Sequence, residues 1–264
     1  MTTEGSGGRA PTVRFARTGE VVVVTLDRPE RLNAVNDALV RDLCDALARA
    51  GEELPSAVVL TGAGRAFCAG HDLKDAPEDE DDAAALARLD RLAEVTRRIR
   101  QLSMPVVAAV RGYALGAGFE FAICCDLVIA DPGTVFGFPE VEVGLAVTGG
   151  VTHLLPAMVG PAKANELVFM GTRLDAHSAA ALGLVNLVAE DPLARALEWA
   201  NVLAGKPRRA LALAKSCLAA GLTGGLEQAF TLETTASLAL AATPAARAAA
   251  EAFRGRRGGG EPAV

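Results

Sequence analysis

Aromatic residues are scarce: they make up 4% of the 264 residues, with a single Trp and a single Tyr. Alanine and valine must therefore supply most of the apolar mass of any core. Histidine is scarcer still. His71, His153 and His177 are the only three, and none stands at ligand spacing from another, which argues against a zinc site. The five cysteines, Cys44, Cys68, Cys124, Cys125 and Cys217, are odd in number and form no C-x-x-C pair. A chain of this length needs no disulfide staples, so they read as reduced small hydrophobes, as in a cytoplasmic protein. Positive charge is in deficit. A net charge of -6 and a pI near 5.2 argue against nucleic acid or an anionic membrane as the main partner, although a local basic pocket for a phosphate group stays open. The most apolar stretch, from Val106 to Ala130, is broken by Arg111, Glu120 and Asp126, charges too costly for hydrocarbon. Residues 1–10 hold no apolar run, so no signal peptide is expected. There is no G-x-S-x-G elbow and no G-x-x-x-x-G-K-[ST] loop. Gly116-Ala117-Gly118 begins like a dinucleotide fingerprint, but Phe121 stands where its third glycine belongs.

What is present is enough apolar sequence, 51% of the chain, for one sizeable domain with a full core. Val13–Ala16 and Val21–Leu26 read as strands joined at Thr18-Gly19. Asn36 can cap a helix to about Ala50, with Leu39, Leu43, Ala46 and Leu47 on one face. Ala57–Thr61 is a buried strand. A helix over 83–102 would carry Leu86, Leu89, Leu92, Val95 and Ile99 as its apolar stripe. Val106–Val110 is a strand, followed by a glycine-rich turn from Gly112 to Gly118 and a helix from Ala117 to Cys125. Leu127–Ala130 and Thr134–Phe136 are short strands. This alternation indicates an α/β core. After Pro192 the pattern is helical only, in four segments over 193–203, 208–220, 226–241 and 245–253.

Three segments can carry chemistry. Phe67-Cys68-Ala69-Gly70-His71-Asp72-Leu73-Lys74 follows the Ala57–Thr61 strand, and Arg111-Gly112-Tyr113-Ala114-Leu115-Gly116-Ala117-Gly118-Phe119-Glu120 follows the Val106–Val110 strand. Loops after strand ends are where α/β proteins place ligands. A glycine-rich turn opening a helix leaves unpaired N–H groups aimed outward, although such glycines can equally serve only a tight turn. The third segment is Gly137-Phe138-Pro139-Glu140. Taken singly, Glu120 and Glu140 are the kind of acid found at surfaces and helix starts. The run from Asp75 to Asp82, with six acids in eight residues, reads as a solvated, mobile loop and not as a calcium site, for it has no glycine at the turn.

Together, in this order and with Glu120 and Glu140 twenty residues apart, the three segments resemble the signature of the enoyl-CoA hydratase/isomerase (crotonase) family: A-G-x-D-[LI]-K, then G-x-G-x-E, then P-E. Leu26-Asp27-Arg28-Pro29 with Leu32-Asn33-Ala34 resembles its amino-terminal element. Gly171-Thr172-Arg173-Leu174-Asp175-Ala176 with Ala181-Leu182-Gly183-Leu184-Val185-Asn186 resembles its later helix-and-strand segment. The resemblance covers nearly all of residues 12–257. It implies an α/β fold, a crotonase-like spiral of ββα units with a helical C-terminal region. The α/β core with the acyl-CoA site would span 12–197, a helical oligomerisation region 198–257, and flexible tails 1–11 and 258–264.

Carried over position by position, the resemblance implies that the N–H groups of His71 and Ala117 form an oxyanion hole for a coenzyme A thioester carbonyl, and that Glu120 and Glu140 do acid/base work on one shared water. The His71 side chain would be a neighbour of the pocket. Substrate contacts fall at Ala69, His71, Asp72, Leu73 and Lys74, and at Tyr113, Leu115, Gly116 and Ala117. Arg28, Arg31 and Lys74 are candidates for the coenzyme's phosphates, and Phe253 with Arg256 or Arg257 for a C-terminal element reaching a neighbouring subunit's ligand. No separate cofactor and no metal are implied, since coenzyme A is part of the substrate. Two glutamates favour hydration of a 2-enoyl-CoA. The alternatives are Δ3,Δ2-enoyl-CoA isomerisation and a non-catalytic acyl-CoA-binding role. The loop after Glu140 departs from the family's G-x-x-P-x-x-G-G: here Gly144-Leu145-Ala146-Val147-Thr148-Gly149-Gly150 is one residue shorter and has no proline.

The segment from Leu226 to Ala241 is apolar on more than one face, and one α/β core offers limited surface for four such helices. A homotrimer or homohexamer built through residues 195–255 is expected. Sedimentation equilibrium at micromolar concentration should show such an assembly; a single species at the 27.1 kDa monomer mass refutes it.

Overall fold

The computed structural model describes residues 10–75 and 80–256. Most of both expected tails, Arg257, and residues 76–79 of the acidic run lie outside the described residues. The chain divides into two compact units after Leu203. The first holds β1 (Val13–Thr18), β2 (Val21–Leu26), α1 (Asp37–Glu53), β3 (Ala57–Gly62), α2 (Asp82–Gln101), β4 (Val106–Val110), β5 (Tyr113–Leu115), α3 (Ala117–Cys124), β6 (Leu127–Ala130), β7 (Val135–Gly137), α4 (Val151–Val159), α5 (Pro161–Phe169), β8 (Leu174–Asp175), α6 (Ala176–Ala181), β9 (Leu187–Val188) and α7 (Pro192–Ala204). The second holds α8 (Arg208–Gly221), α9 (Leu226–Ala241) and α10 (Pro244–Arg256). The expected boundary at 197/198 would cut α7, whose Ala196 and Ala200 are fully buried against the sheet.

Six strands form the larger sheet in the order β1-β2-β3-β4-β6-β9. All pairs are parallel except the β1–β2 hairpin. Valine and alanine fill this sheet because both of its faces are covered, as parallel sheets require. Val58, Leu60, Val106, Ala108 and Val128 face one core, while Ala57, Val59, Val107, Ala109 and Ile129 face the other, under α7. A smaller sheet runs β5-β7-β8, extended by a parallel bridge from Cys68 to Ala114. The chain thus places one strand in the large sheet, one in the small sheet, then a helix: β4–β5–α3 is one such ββα turn, and β6–β7 begins the next.

Two sequence expectations change. Within the Gly112–Gly118 turn lies β5, three residues long and flanked by Gly112 and Gly116, too short to show a period. On α2, Leu92, Val95 and Ile99 are buried as expected, but Leu86 is 70% and Leu89 40% exposed. The N-terminal half of α2 does not reach the core, and Leu89 instead lines a cavity. The capping expectation for α1 holds: the Asn36 side chain accepts from the Leu39 N–H at 3.0 Å. In the second unit α8 and α9 have no buried residue, and Leu218, Leu226, Phe230 and Leu238 are exposed.

Asn33 ties the strand ends beneath the site. It is fully buried, its Nδ2 donates to the carbonyls of Ala63 (2.9 Å) and Ala66 (2.8 Å), and its Oδ1 accepts from the Arg28 N–H at 2.8 Å. Its φ of 55° is one that asparagine tolerates better than most residues. Asn33→Ala removes three hydrogen bonds, one fully buried and two part-buried, so urea unfolding at matched protein concentration should report a loss of about 3 kcal/mol. A loss under about 0.5 kcal/mol would show that the amide is dispensable.

Candidate active site

The site forms where the backbone after β3 crosses the backbone before α3. Cys68 N–H donates to the Tyr113 carbonyl (2.9 Å) and Leu115 N–H to the Cys68 carbonyl (3.0 Å). Close approach is possible because Gly118 has no side chain: a Cβ there would lie 2.2 Å from the Cys68 oxygen. Two residues on, at Gly70, the chain is held by Val35. Val35 N–H donates to Gly70 O (2.7 Å) and Asp72 N–H to Val35 O (2.9 Å), which fixes His71 between them. A Cβ on Gly70 would lie 2.9 Å from Leu115 O and 3.7 Å from Gly116 Cα, so His71 and Ala117 follow two backbones in contact. Among the described residues neither the His71 nor the Ala117 amide has a protein acceptor. Gly116 provides no side-chain cap to α3, so the Ala117 N–H is one of the orphan donors of a helix start.

Glu120 and Glu140 are both buried, at 1% and 4% exposure. Glu120 sits on the first turn of α3. Thr148 holds both of its oxygens: the Thr148 N–H donates to Oε1 at 2.7 Å and the Thr148 hydroxyl to Oε2 at 2.9 Å. Glu140 opens the 3-10 turn Glu140–Val143, delivered there by Pro139. Its Oε1 lies so close to Gly116 that a side chain at that position would meet it at 2.6 Å. Its Oε2 is buried with no hydrogen-bond partner among the described residues. Burial pushes the Glu140 carboxyl up to about 7, and the charge of Glu120 adds to the rise. Burial also raises Glu120, but the two Thr148 hydrogen bonds oppose it. The pair is therefore asymmetric: two donors hold the oxygens of Glu120, while Glu140 has one oxygen unpartnered and its carboxyl is pushed up to about 7.

A cavity of about 640 Å³ adjoins this pair. Neither carboxyl lines it, but His71 and Thr148 do, and Thr148 touches Glu120. Its walls are largely apolar: Val35, Ala38 and Val40 at the start of α1, Leu89 and Leu92 of α2, and Leu145 with Ala146 of the loop after Glu140. Burial lowers the His71 imidazole below its ordinary value, with the Arg88 charge adding, so the ring is neutral at pH 7.

The other expected site residues fall out unevenly. Arg28 is already engaged: its guanidinium donates to the Ala34 carbonyl and to Asp72 Oδ2 (3.0 Å), with side chains 12% and 7% exposed. To reach a phosphate this largely hidden, hydrogen-bonded cation would have to leave Asp72 without its partner. Asp72 is likewise taken by Arg28, although it borders the cavity. Ala69 and Leu115 are half-buried at the crossing, and Arg31, Leu73, Lys74 and Tyr113 are exposed. Phe253 lies on α10 in the second unit, and its side chain is outside the described residues. Thr148 and the α1 and α2 walls were not named from sequence. The altered loop was the only signal for Thr148, and a half-exposed Leu89 in an apolar stripe reads as core. Among the described residues no group of three His, Cys, Asp or Glu side chains could hold a metal ion, and no helix is long and apolar enough to cross a membrane.

The enoyl-CoA hydratase/isomerase family model matches residues 16–258. The 2,3-dehydroadipyl-CoA hydratase of Escherichia coli is 36% identical over 247 residues, covering 92% of this chain and 95% of that protein. The structure of an enoyl-CoA hydratase from Polaromonas superposes with a TM-score of 0.88 at 31% identity, covering 92% of this chain and 97% of that one. An enoyl-CoA hydratase from Mycobacterium smegmatis gives 0.87 at 31% identity, covering 94% and 97%. The crossing of Cys68–His71 with Leu115–Gly118, the paired buried glutamates and these matches agree: the chain belongs to the enoyl-CoA hydratase/isomerase, or crotonase, family.

Proposed function

We propose that the protein is an enoyl-CoA hydratase, adding water across the 2,3 double bond of a coenzyme A thioester. The observation that carries this reading is the asymmetric glutamate pair beside two unpaired amides. In the proposed step, the Glu120 carboxylate takes a proton from water as the water oxygen bonds to C3. The double-bond electrons move toward the thioester oxygen, where the His71 and Ala117 N–H groups meet the developing charge. Each such donor contributes on the order of 3 kcal/mol to the barrier reduction. The neutral Glu140 carboxyl then gives its proton to C2. Glu120 ends protonated and Glu140 ionised, and exchange with solvent resets the pair. The acyl group would enter the cavity walled by α1 and α2, with Lys74 and Arg31, both exposed, the remaining candidates for the coenzyme's phosphates.

Two donors on Glu120 favour hydration over isomerisation, because moving a double bond needs one proton carrier whereas hydration also needs a base fixed on water. The exposed apolar side chains of α8 and α9 support the proposal that the protein acts as a homotrimer or homohexamer.

Glu120→Gln and Glu140→Gln should each lower hydration turnover by roughly 10²-fold or more while thioester binding weakens far less. Near wild-type turnover in either variant sinks the two-glutamate mechanism, and a loss confined to Glu140→Gln points to the isomerase. The pH profile has a sign as well. Glu140 must hold its proton, so kcat/KM should fall as pH rises through about 7; Glu120 must be ionised, so it should fall again on the acid side, above the ordinary carboxylate range. The two limbs belong to the coupled pair. A rate that keeps rising to about pH 9 contradicts the assignment of Glu140 as the acid.

A further inference from the structure

The loop from Gly144 to Gly150 is where this chain departs from its family's pattern, and its structure shows what the departure brings to the site. The loop is anchored at its start by Leu145 N–H on the Glu140 carbonyl (2.8 Å), and Thr148 O accepts from Val151 N–H (3.0 Å) at the start of α4. Between these anchors Thr148 turns both of its donors onto a single carboxylate, its amide on Oε1 and its hydroxyl on Oε2 of Glu120. Gly149 closes over the same group, since a Cβ there would lie 2.8 Å from Oε2 and 3.3 Å from the Glu120 Cβ. A hydrogen bond to each oxygen removes rotation about the carboxyl axis, and the backbone packed against it removes sideways movement.

We propose that Thr148 is a positioning residue for the reaction: its amide and hydroxyl clamp the two oxygens of Glu120, so that the carboxylate presents one fixed lone-pair direction to the attacking water. The inference rests on the hydration reading for its catalytic consequence but not for the clamp itself. A carboxylate with both oxygens held loses no orientational freedom when water docks, which is the part of general-base catalysis that geometry governs. Glu140 has no such clamp on Oε2, in keeping with a group that delivers a proton along a path the substrate sets. The hydroxyl is separable from the amide by substitution, because only the side chain supplies it. The titratable groups whose interactions include Glu120 are Glu140 and Cys68, and burial keeps the Cys68 thiol neutral by pushing it up to about 12. The other titratable groups on the elements packed against α3 are Tyr113 on β5, His153 on α4 and the charged side chains of α2.

Thr148→Val keeps the shape and the amide but removes the hydroxyl; Thr148→Ser restores it. On the best enoyl-CoA found, Thr148→Val should lower kcat about 10-fold, the scale of one hydrogen bond to a charged group, with KM within about twofold. Thr148→Ser should stay within about threefold of wild type. In protein labelled with ¹³C-glutamate, the Glu120 Cδ signal, assigned by its absence in Glu120→Gln, should titrate at higher pH in Thr148→Val than in wild type or Thr148→Ser. Should valine not fold, Thr148→Ala lacks the same hydroxyl and takes its place. An unchanged Glu120 titration in the valine variant, or a serine variant as impaired as valine, overturns the clamp. If the wild type hydrates no enoyl-CoA, the functional reading fails, and the Cδ titration still decides whether Thr148 holds Glu120.

Discussion

Where Cys68–His71 passes over Leu115–Gly118, two stretches of main chain lie closer than any side chain would allow, and the rest of the site is hung on that crossing. A Cβ at Gly118 would press to 2.2 Å from the Cys68 oxygen, so the contact exists only with glycine at that position. Among the described residues the crossing leaves the His71 and Ala117 amides without a protein acceptor. Val35 holds the His71 neighbours from behind, and Gly116 N–H is used on Gly137 O (2.9 Å), leaving the next amide free. The two sheets of the first unit exist to bring these segments together: β3 and β4 lie side by side in one, and Cys68, β5 and β7 in the other.

Against this fixed frame the two glutamates are set apart by their surroundings. Both are buried, which favours the neutral form, and each neutralises at the expense of the other. Thr148 breaks the tie by giving Glu120 two donors, while Glu140 is left with one oxygen unpartnered and titrates near 7. The two carboxyls thus have different surroundings, the kind of difference that lets a pair divide acid and base roles in the proposed reaction. The Arg28–Asp72 ion pair ties the frame together. It joins the turn before α1 to the segment that carries His71, and because it is largely hidden, removal of either partner would leave a costly lone charge.

The strands β2, β3 and β4 at the centre of the large sheet were legible because valine-rich runs of five or six residues between glycine and proline breaks can be little else, and Asn36 marked the start of α1 by its capping chemistry. The family was legible because three separate motifs kept their order and spacing. What escaped has physical reasons. A three-residue strand such as β5 has no period to detect, and Leu86 and Leu89 continue the apolar stripe of α2 although that end of the helix borders a cavity. Arg28 reads as a free cation beside a proline, yet Asp72, forty-four residues away, neutralises it. Thr148 sat in a loop whose sequence said only that it was short. Its aim at Glu120 depends on the anchors at Glu140 and Val151, which no local pattern encodes.

Most of the exposed wall of the cavity beside His71 and Thr148 is apolar, while Asp37, Arg41, Asp72 and Asp75 also line it together with the paired Arg88–Glu80 side chains (3.0 Å). In the proposed reaction the acyl group lies there, with the thioester at the crossing and water between the glutamates. The most direct measurement is the conjugated-thioester absorbance of a panel of 2-enoyl-CoA esters incubated with the protein. The account predicts that the absorbance falls for at least one ester as 3-hydroxyacyl-CoA appears, one water heavier than the substrate. An absorbance that stays constant across the panel, or one that rises instead when 3-enoyl-CoA esters are supplied, contradicts it.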